Sequence, residues 1–261
     1  MQLTEAMERE KVDSNDMATE DLAVVRELYE RGLYVQAYRE AEKLGPLRKW
    51  PGAKAKLLAG RLAMNVGAPR LGRRLHISAW RQAPDLMEAR FYYTYILLER
   101  RGPLRAWRFL RQSGEIDDSS PQAQADWLAL HASVLCYFRD FDSAEGWLAG
   151  AEALRPTDAW IAVERAALLR HQDRYEEALQ ASQRALEWRP WYRPAVQSAA
   201  DLLILLSRDR DALALLLEAS EKIESGGVLA QLAMLQSELG HYADEQRTLE
   251  RLEASSPLME K

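Results

Sequence analysis

Alanine returns at intervals of 34 residues in three separate columns: Ala132, Ala166 and Ala200; Ala144, Ala178 and Ala212; Ala151, Ala185 and Ala219. Phe141 and Tyr175 add an aromatic column, which Asp209 breaks, and Pro156 and Pro190 add a proline column. Several landmarks sharing one offset mean a repeated supersecondary unit whose apolar face is buried only against its neighbours. Small residues at fixed places predict close helix crossings, because helix axes approach to about 8–10 Å only where the contacting side chains are small. Proline lacks the N–H of a helix interior and restricts its predecessor, so Pro156 and Pro190 each stop one helix before the next begins. Pro194 suits the first turn of the helix that follows.

These columns resemble the tetratricopeptide repeat, in which small residues recur at positions 8, 20 and 27, an aromatic at 17 and a proline at 32. The resemblance implies an all-α fold, an α-solenoid of antiparallel helix pairs wound as a right-handed superhelix with a concave groove. Extending the register gives about seven degenerate units over 18–259, after a polar N-terminal segment at 1–17. They begin near Ala18, Ala53, Met87, Ala125, Ala159, Arg193 and Gly226. Gly60, Gly72 and Ala79 keep the second unit small at the three places, and Thr94, Ala106 and Ser113 keep the third small. Glu245 replaces the expected alanine in the seventh, and His131 and Arg165 fall at position 7, where the family has an apolar residue. Gly32, Gly67, Gly102 and Gly240, near position 15, suit a left-handed residue that ends a first helix. The stretch DDSSPQAQ at 117–124 adds about four residues to the period and predicts a bend or widened gap. The last expected helix, ADEQRTLERLEA, reads as polar enough to cap the stack.

No phosphate-binding loop, dinucleotide fingerprint, H-E-x-x-H or G-x-S-x-G occurs in the sequence. The histidines His76, His131, His171 and His241 are dispersed, and Cys136 reads as a small packed thiol. Acidic pairs such as Asp117 and Asp118, or Glu176 and Glu177, read as solvated or helix-capping charges. A protein that is not an enzyme and has neither cofactor nor metal is expected. The first 17 residues carry no cationic stretch followed by an apolar run, and no segment approaches the length of a membrane span. One cysteine excludes an intramolecular disulfide, so a cytoplasmic setting is expected.

Net charge is −5, but its distribution is uneven: 43–111 holds 16 Lys or Arg against three acids, which gives +13, while 1–42 carries −6 and 112–261 carries −12. A strongly polarised rod is expected. Arg70, Arg73 and Arg74 fall on the second helix of unit two and Arg105, Arg108 and Arg111 on that of unit three. Spacings of three and four form a convex basic ridge, which can meet phosphates or an acidic protein, or be a solvated face in contact with acidic residues.

The resemblance also implies which side chains face the groove: Arg26, Arg61, Phe91, Tyr92, Tyr95, Tyr137, Trp160, Glu164, Arg170, Gln197 and Asp201. Aromatic and guanidinium groups are enriched at interface hot spots, but the same aromatics also suit gap-filling between imperfect repeats. Three readings follow. The first is a scaffold that binds a peptide or protein in the groove. The second is a nucleic-acid or acidic-partner binder acting through the ridge. The third is an accessory module of a larger bacterial enzyme such as a papain-like peptidase.

Overall fold

A computed structural model describes residues 19–114 and 120–259. The described residues form 14 α-helices and no strand. They pair in chain order: α1 (Thr19–Glu30) with α2 (Tyr34–Lys43), α3 (Ala53–Asn65) with α4 (Pro69–Gln82), α5 (Met87–Arg101) with α6 (Pro103–Gln112), and α7 (Pro121–Cys136) with α8 (Phe141–Leu154). The series continues with α9 (Ala159–His171) and α10 (Tyr175–Trp188), α11 (Arg193–Leu205) and α12 (Asp209–Lys222), and α13 (Gly226–Glu238) and α14 (Tyr242–Ala254). The polar segment at 1–17 lies outside the described residues. So do Asp117, Asp118 and Ser119, the first three residues of the expected bend. The described part of that stretch is helical from Pro121, one turn before Ala125, with the Ser120 hydroxyl accepting from the Ala123 N–H.

The nine alanines of the three columns are at most 1% exposed, as close crossing requires. In the second pair the crossing is closer still. A Cβ on Gly72 would sit 2.7 Å from the Gly60 carbonyl oxygen, and one on Gly60 would sit 2.3 Å from His76 Cδ2. The departures at position 7 have local solutions. Arg165 forks onto both oxygens of Glu152, with Nε at 2.9 Å and NH2 at 2.7 Å, and its NH1 reaches Glu145. His131 stacks on Trp147 with ring centroids 4.4 Å apart.

Every first helix ends on a left-handed residue. Glycine serves in four pairs (Gly32, Gly67, Gly102, Gly240), but Arg139 (φ 58°), Asp173 (φ 61°) and Ser207 (φ 56°) hold the same place in the fourth, fifth and sixth. The turn is thus a property of the repeat, kept where its residue is unfavourable.

The superhelical stack curves until its first two pairs meet the segments that follow the fifth, sixth and seventh. The Glu224 N–H donates to the Gly32 carbonyl at 2.9 Å, and Glu224 Oε2 accepts from the backbone N–H groups of Val35 (2.9 Å) and Gln36 (3.0 Å), capping α2 from 189 residues away in sequence. Arg189 NH2 donates to the Glu30 carbonyl and carboxylate, both at 2.6 Å. Farther along, the Leu258 N–H donates to the Val66 carbonyl at 3.0 Å. Gly32 is required twice, by its φ of 77° and because a Cβ there would lie 2.6 Å from Ile223 Cγ2. The solenoid closes on itself through its loops.

Candidate interaction surfaces

Closure divides the concave surface. Along its inner part, first-helix side chains engage one another. Arg61 NH2 donates to Glu30 Oε1 at 3.0 Å, its NH1 lies 3.9 Å from Glu88, and its guanidinium sits 4.4 Å from the Tyr29 ring centroid. Phe91 packs against Tyr92 (5.4 Å), Tyr95 (5.0 Å) and Trp160 (6.0 Å), and His76 stacks on Tyr92 at 4.4 Å. The Phe91 to Trp160 contact joins the third pair to the fifth, which only a tightly curved stack allows. The Tyr95 hydroxyl donates to Glu164 Oε1 at 2.9 Å.

Glu164 is 6% exposed. Burial pushes its carboxyl up to about 7 against the opposing hydrogen bonds of Ser133 and Tyr95. Desolvation likewise raises the Tyr92 and Tyr95 hydroxyls well above their ordinary range. Trp160 Nε1 is a buried donor without a partner among the described residues. Of the side chains the sequence assigns to the groove, Arg61, Phe91, Tyr92, Tyr95, Trp160 and Glu164 are therefore drawn together into one polar-aromatic cluster.

No hydrogen bond, ion pair or ring contact among the described residues joins Tyr137, Arg170 or Asp201 to that cluster, and all three fall toward the C-terminal ends of their first helices. Tyr137 is 54% exposed and its ring lies 5.4 Å from that of His171. Asp201 Oδ1 accepts from Gln231 Nε2 at 2.5 Å, and Arg170 stands close enough to act on Asp201 electrostatically. Leu205, at the end of α11, is 50% exposed. His171 and Leu205 were not singled out from sequence. The 34-residue offset from Tyr137 leads to both, so the signal was present in the repeat itself.

The ridge arginines lie on α4 and α6, but they are not equivalent. Arg73 is mostly covered and pairs with Glu99 at 3.6 Å, and Arg111 places its guanidinium 4.9 Å from the Trp107 ring centroid. Arg70, Arg74, Arg105 and Arg108 are exposed, with no ion pair or hydrogen bond among the described residues. Phe138, itself exposed, meets Trp107 at 6.4 Å, so the basic surface has an aromatic border.

Cys136 is buried, and burial pushes its thiol up to about 12, away from the thiolate a nucleophile needs. Among the described residues, no three His, Cys, Asp or Glu side chains gather as metal ligands. No helix among them is long and apolar enough to cross a membrane.

No family model and no curated protein matches the sequence. Solved structures do match by fold. A thermophilic TPR protein from Thermus thermophilus, TTC0263, aligns with a TM-score of 0.54 at 16% identity, over 75% of this chain and 99% of that one. The APC/C hetero-tetramer Cut9–Hcn1 aligns with a TM-score of 0.52 at 14% identity, over 90% of this chain and 46% of the matched one. This chain thus spans about half the length of that one, and the likeness is one of fold.

Proposed function

We propose that this tetratricopeptide-like solenoid is a non-enzymatic scaffold that holds a peptide or protein segment along the open edge of its concave surface. The observation that supports this reading is the row Tyr137, Arg170, His171, Asp201 and Leu205, which offers aromatic, cationic, anionic and aliphatic contacts on successive first helices. An extended segment crossing stacked helices meets one such group per repeat, and a few aromatic or guanidinium anchors carry most of the energy of such contacts. The inner cluster of Arg61, Phe91, Tyr92, Tyr95, Trp160 and Glu164 supports the edge from behind and sets its curvature. Panning the intact chain against a displayed peptide library, then measuring the selected peptides by fluorescence anisotropy, tests this. Replacing Tyr137 and Arg170 together with Ser is expected to weaken binding about tenfold or more. Unchanged affinity in that variant rejects the edge as the site.

The four unpaired arginines Arg70, Arg74, Arg105 and Arg108 support a second reading, a polyanion or acidic partner on the basic surface. Affinity for labelled single-stranded RNA or an acidic peptide would then fall steeply from about 50 to about 200 mM salt, because each neutralised phosphate releases counterions. Replacing Arg74, Arg105 and Arg108 with Ser would flatten that slope. A slope unchanged by the substitutions rejects this reading. The role of accessory module in a larger enzyme is compatible with either surface.

A further inference from the structure

We infer that the end face of the seventh helix pair is a separate docking surface, and that its occupant is a cationic amphipathic α-helix. The sequence reads α14 as polar enough to close the stack, yet the face it forms with α13 is apolar. A groove of about 430 Å3 runs between the two helices, lined by Ala230, Ala233, Met234, Leu249 and Leu252, with Ser237, Glu238 and Glu245 at its rim.

Equivalent residues in the other repeats show what this face lacks. Ala41, His76, Leu110, Leu148, Ser182 and Leu216 occupy position 24 of the first six units and are at most 1% exposed. Leu249 holds the same position in the seventh and is 42% exposed. In the sixth unit, Ala212, Leu216 and Ala219 belong to one buried cluster with Val228, Leu232 and Leu235 of α13. The groove between the two helices of a unit is filled by the first helix of its successor. The seventh groove continues that series of interfaces, and its complement is again a helix with an apolar stripe at i, i+3, i+4 and i+7 spacing.

The rim selects the charge of that helix. Position 20 is Ala37, Gly72, Ala106, Ala144, Ala178 and Ala212 in six units and Glu245 in the seventh. An ordinary apolar first helix pressed onto this face would bury the Glu245 carboxylate without a partner, which is strongly unfavourable. Neither Glu238 nor Glu245 has a side-chain partner among the described residues, and no cation lines the groove. Lys or Arg flanking the apolar stripe of the incoming helix would satisfy both carboxylates.

A fluorescein-labelled helix of Leu, Ala and Lys, four to five turns long, and its counterpart with Glu in place of Lys are the probes, used with the intact chain in anisotropy titrations. The Lys helix is expected to bind and the Glu helix not to. Leu249→Ser should weaken the Lys helix about tenfold, the scale of one buried aliphatic side chain. Glu245→Lys should weaken the Lys helix and create binding of the Glu helix. Tyr137→Ser should change neither, which separates this face from the concave edge. Equal affinity of wild type and Leu249→Ser for the Lys helix overturns the inference. So does a concentration-dependent dimer in sedimentation that Leu249→Ser abolishes, since that assigns the face to a second copy of the chain.

Discussion

Phe91, Tyr95 and Trp160, in the first and middle turns of their helices, pack on one another, whereas Tyr137, His171 and Leu205, at the ends of theirs, line an open edge. Both sets belong to the same concave surface and have comparable apolar content, so composition does not separate them. Reach does. The stack curves tightly enough for α5 to touch α9 at the level of the inner set, whereas Tyr137 and Leu205 of the outer set stay about half exposed. Part of the surface that the sequence assigns to the groove thus serves the cohesion of the stack itself.

The largest expected difference between the two regions is in stability. Trp160→Ala should cost about 2–4 kcal/mol, because it empties a site enclosed by Phe91 and Tyr95. Tyr137→Ala, an aromatic truncation at the open edge, should stay within about 0.5 kcal/mol of wild type. Urea melts decide it, and similar midpoint shifts for the two variants would erase the distinction.

Glu164 makes the inner region sensitive to pH. Its folded pKa, raised to about 7 by burial, exceeds the unfolded value, so the folded state holds a proton that the unfolded state has lost between about pH 4.5 and 7. Its contribution to stability is therefore full below that window and declines as pH rises through it, by up to about 1.4 kcal/mol per pH unit. Asp126, raised to about 6 chiefly by burial, acts in the same direction. His76 and His131, lowered to about 4 by burial, act in the opposite direction. The difference between wild type and Glu164→Gln in urea melts at about pH 5 and about pH 7.5 isolates the carboxyl. A difference that does not change with pH means that Glu164 titrates normally.

Closure at the seam holds the inner region together, and Glu224 is its most connected side chain. Glu224→Ala should cost about 1–2 kcal/mol, the scale of a lost helix cap and a charge-assisted hydrogen bond. It should also raise the radius of gyration measured by small-angle scattering. The same substitution with no change in scattering would show that the remaining contacts, including Arg189 to Glu30, suffice for closure. The turns separate two variants by the sign of their effect. Ser207→Gly should stabilise by about 0.5 kcal/mol by relieving a left-handed residue, whereas Gly32→Ala should destabilise through both its φ and its contact with Ile223. Thermal melts of the two variants should move in opposite directions.

Much of the local architecture follows from sequence alone. A 34-residue period with small residues in three columns forces paired helices at close approach, because no other residue type fits such crossings, and the prolines and position-15 residues end helices for reasons that need no tertiary context. Even Arg139 and Ser207 lie at the repeat's turn, where their own preferences argue against the left-handed conformation, while Asp173 is of a type that tolerates it. The charge asymmetry that places the ridge arginines on α4 and α6 was likewise legible. Three things were decided only in three dimensions. Each repeat interface contributes a small rotation, and their sum brought Glu224 to Gly32 and Leu258 to Val66, which no pairwise pattern encodes. The curvature of the stack brought Phe91 and Tyr95 of α5 against Trp160 of α9. The apolar face of α14 also escaped the sequence, because Leu249 sits at a position that every other repeat buries, and its exposure depends on what lies beyond it rather than on its own helix.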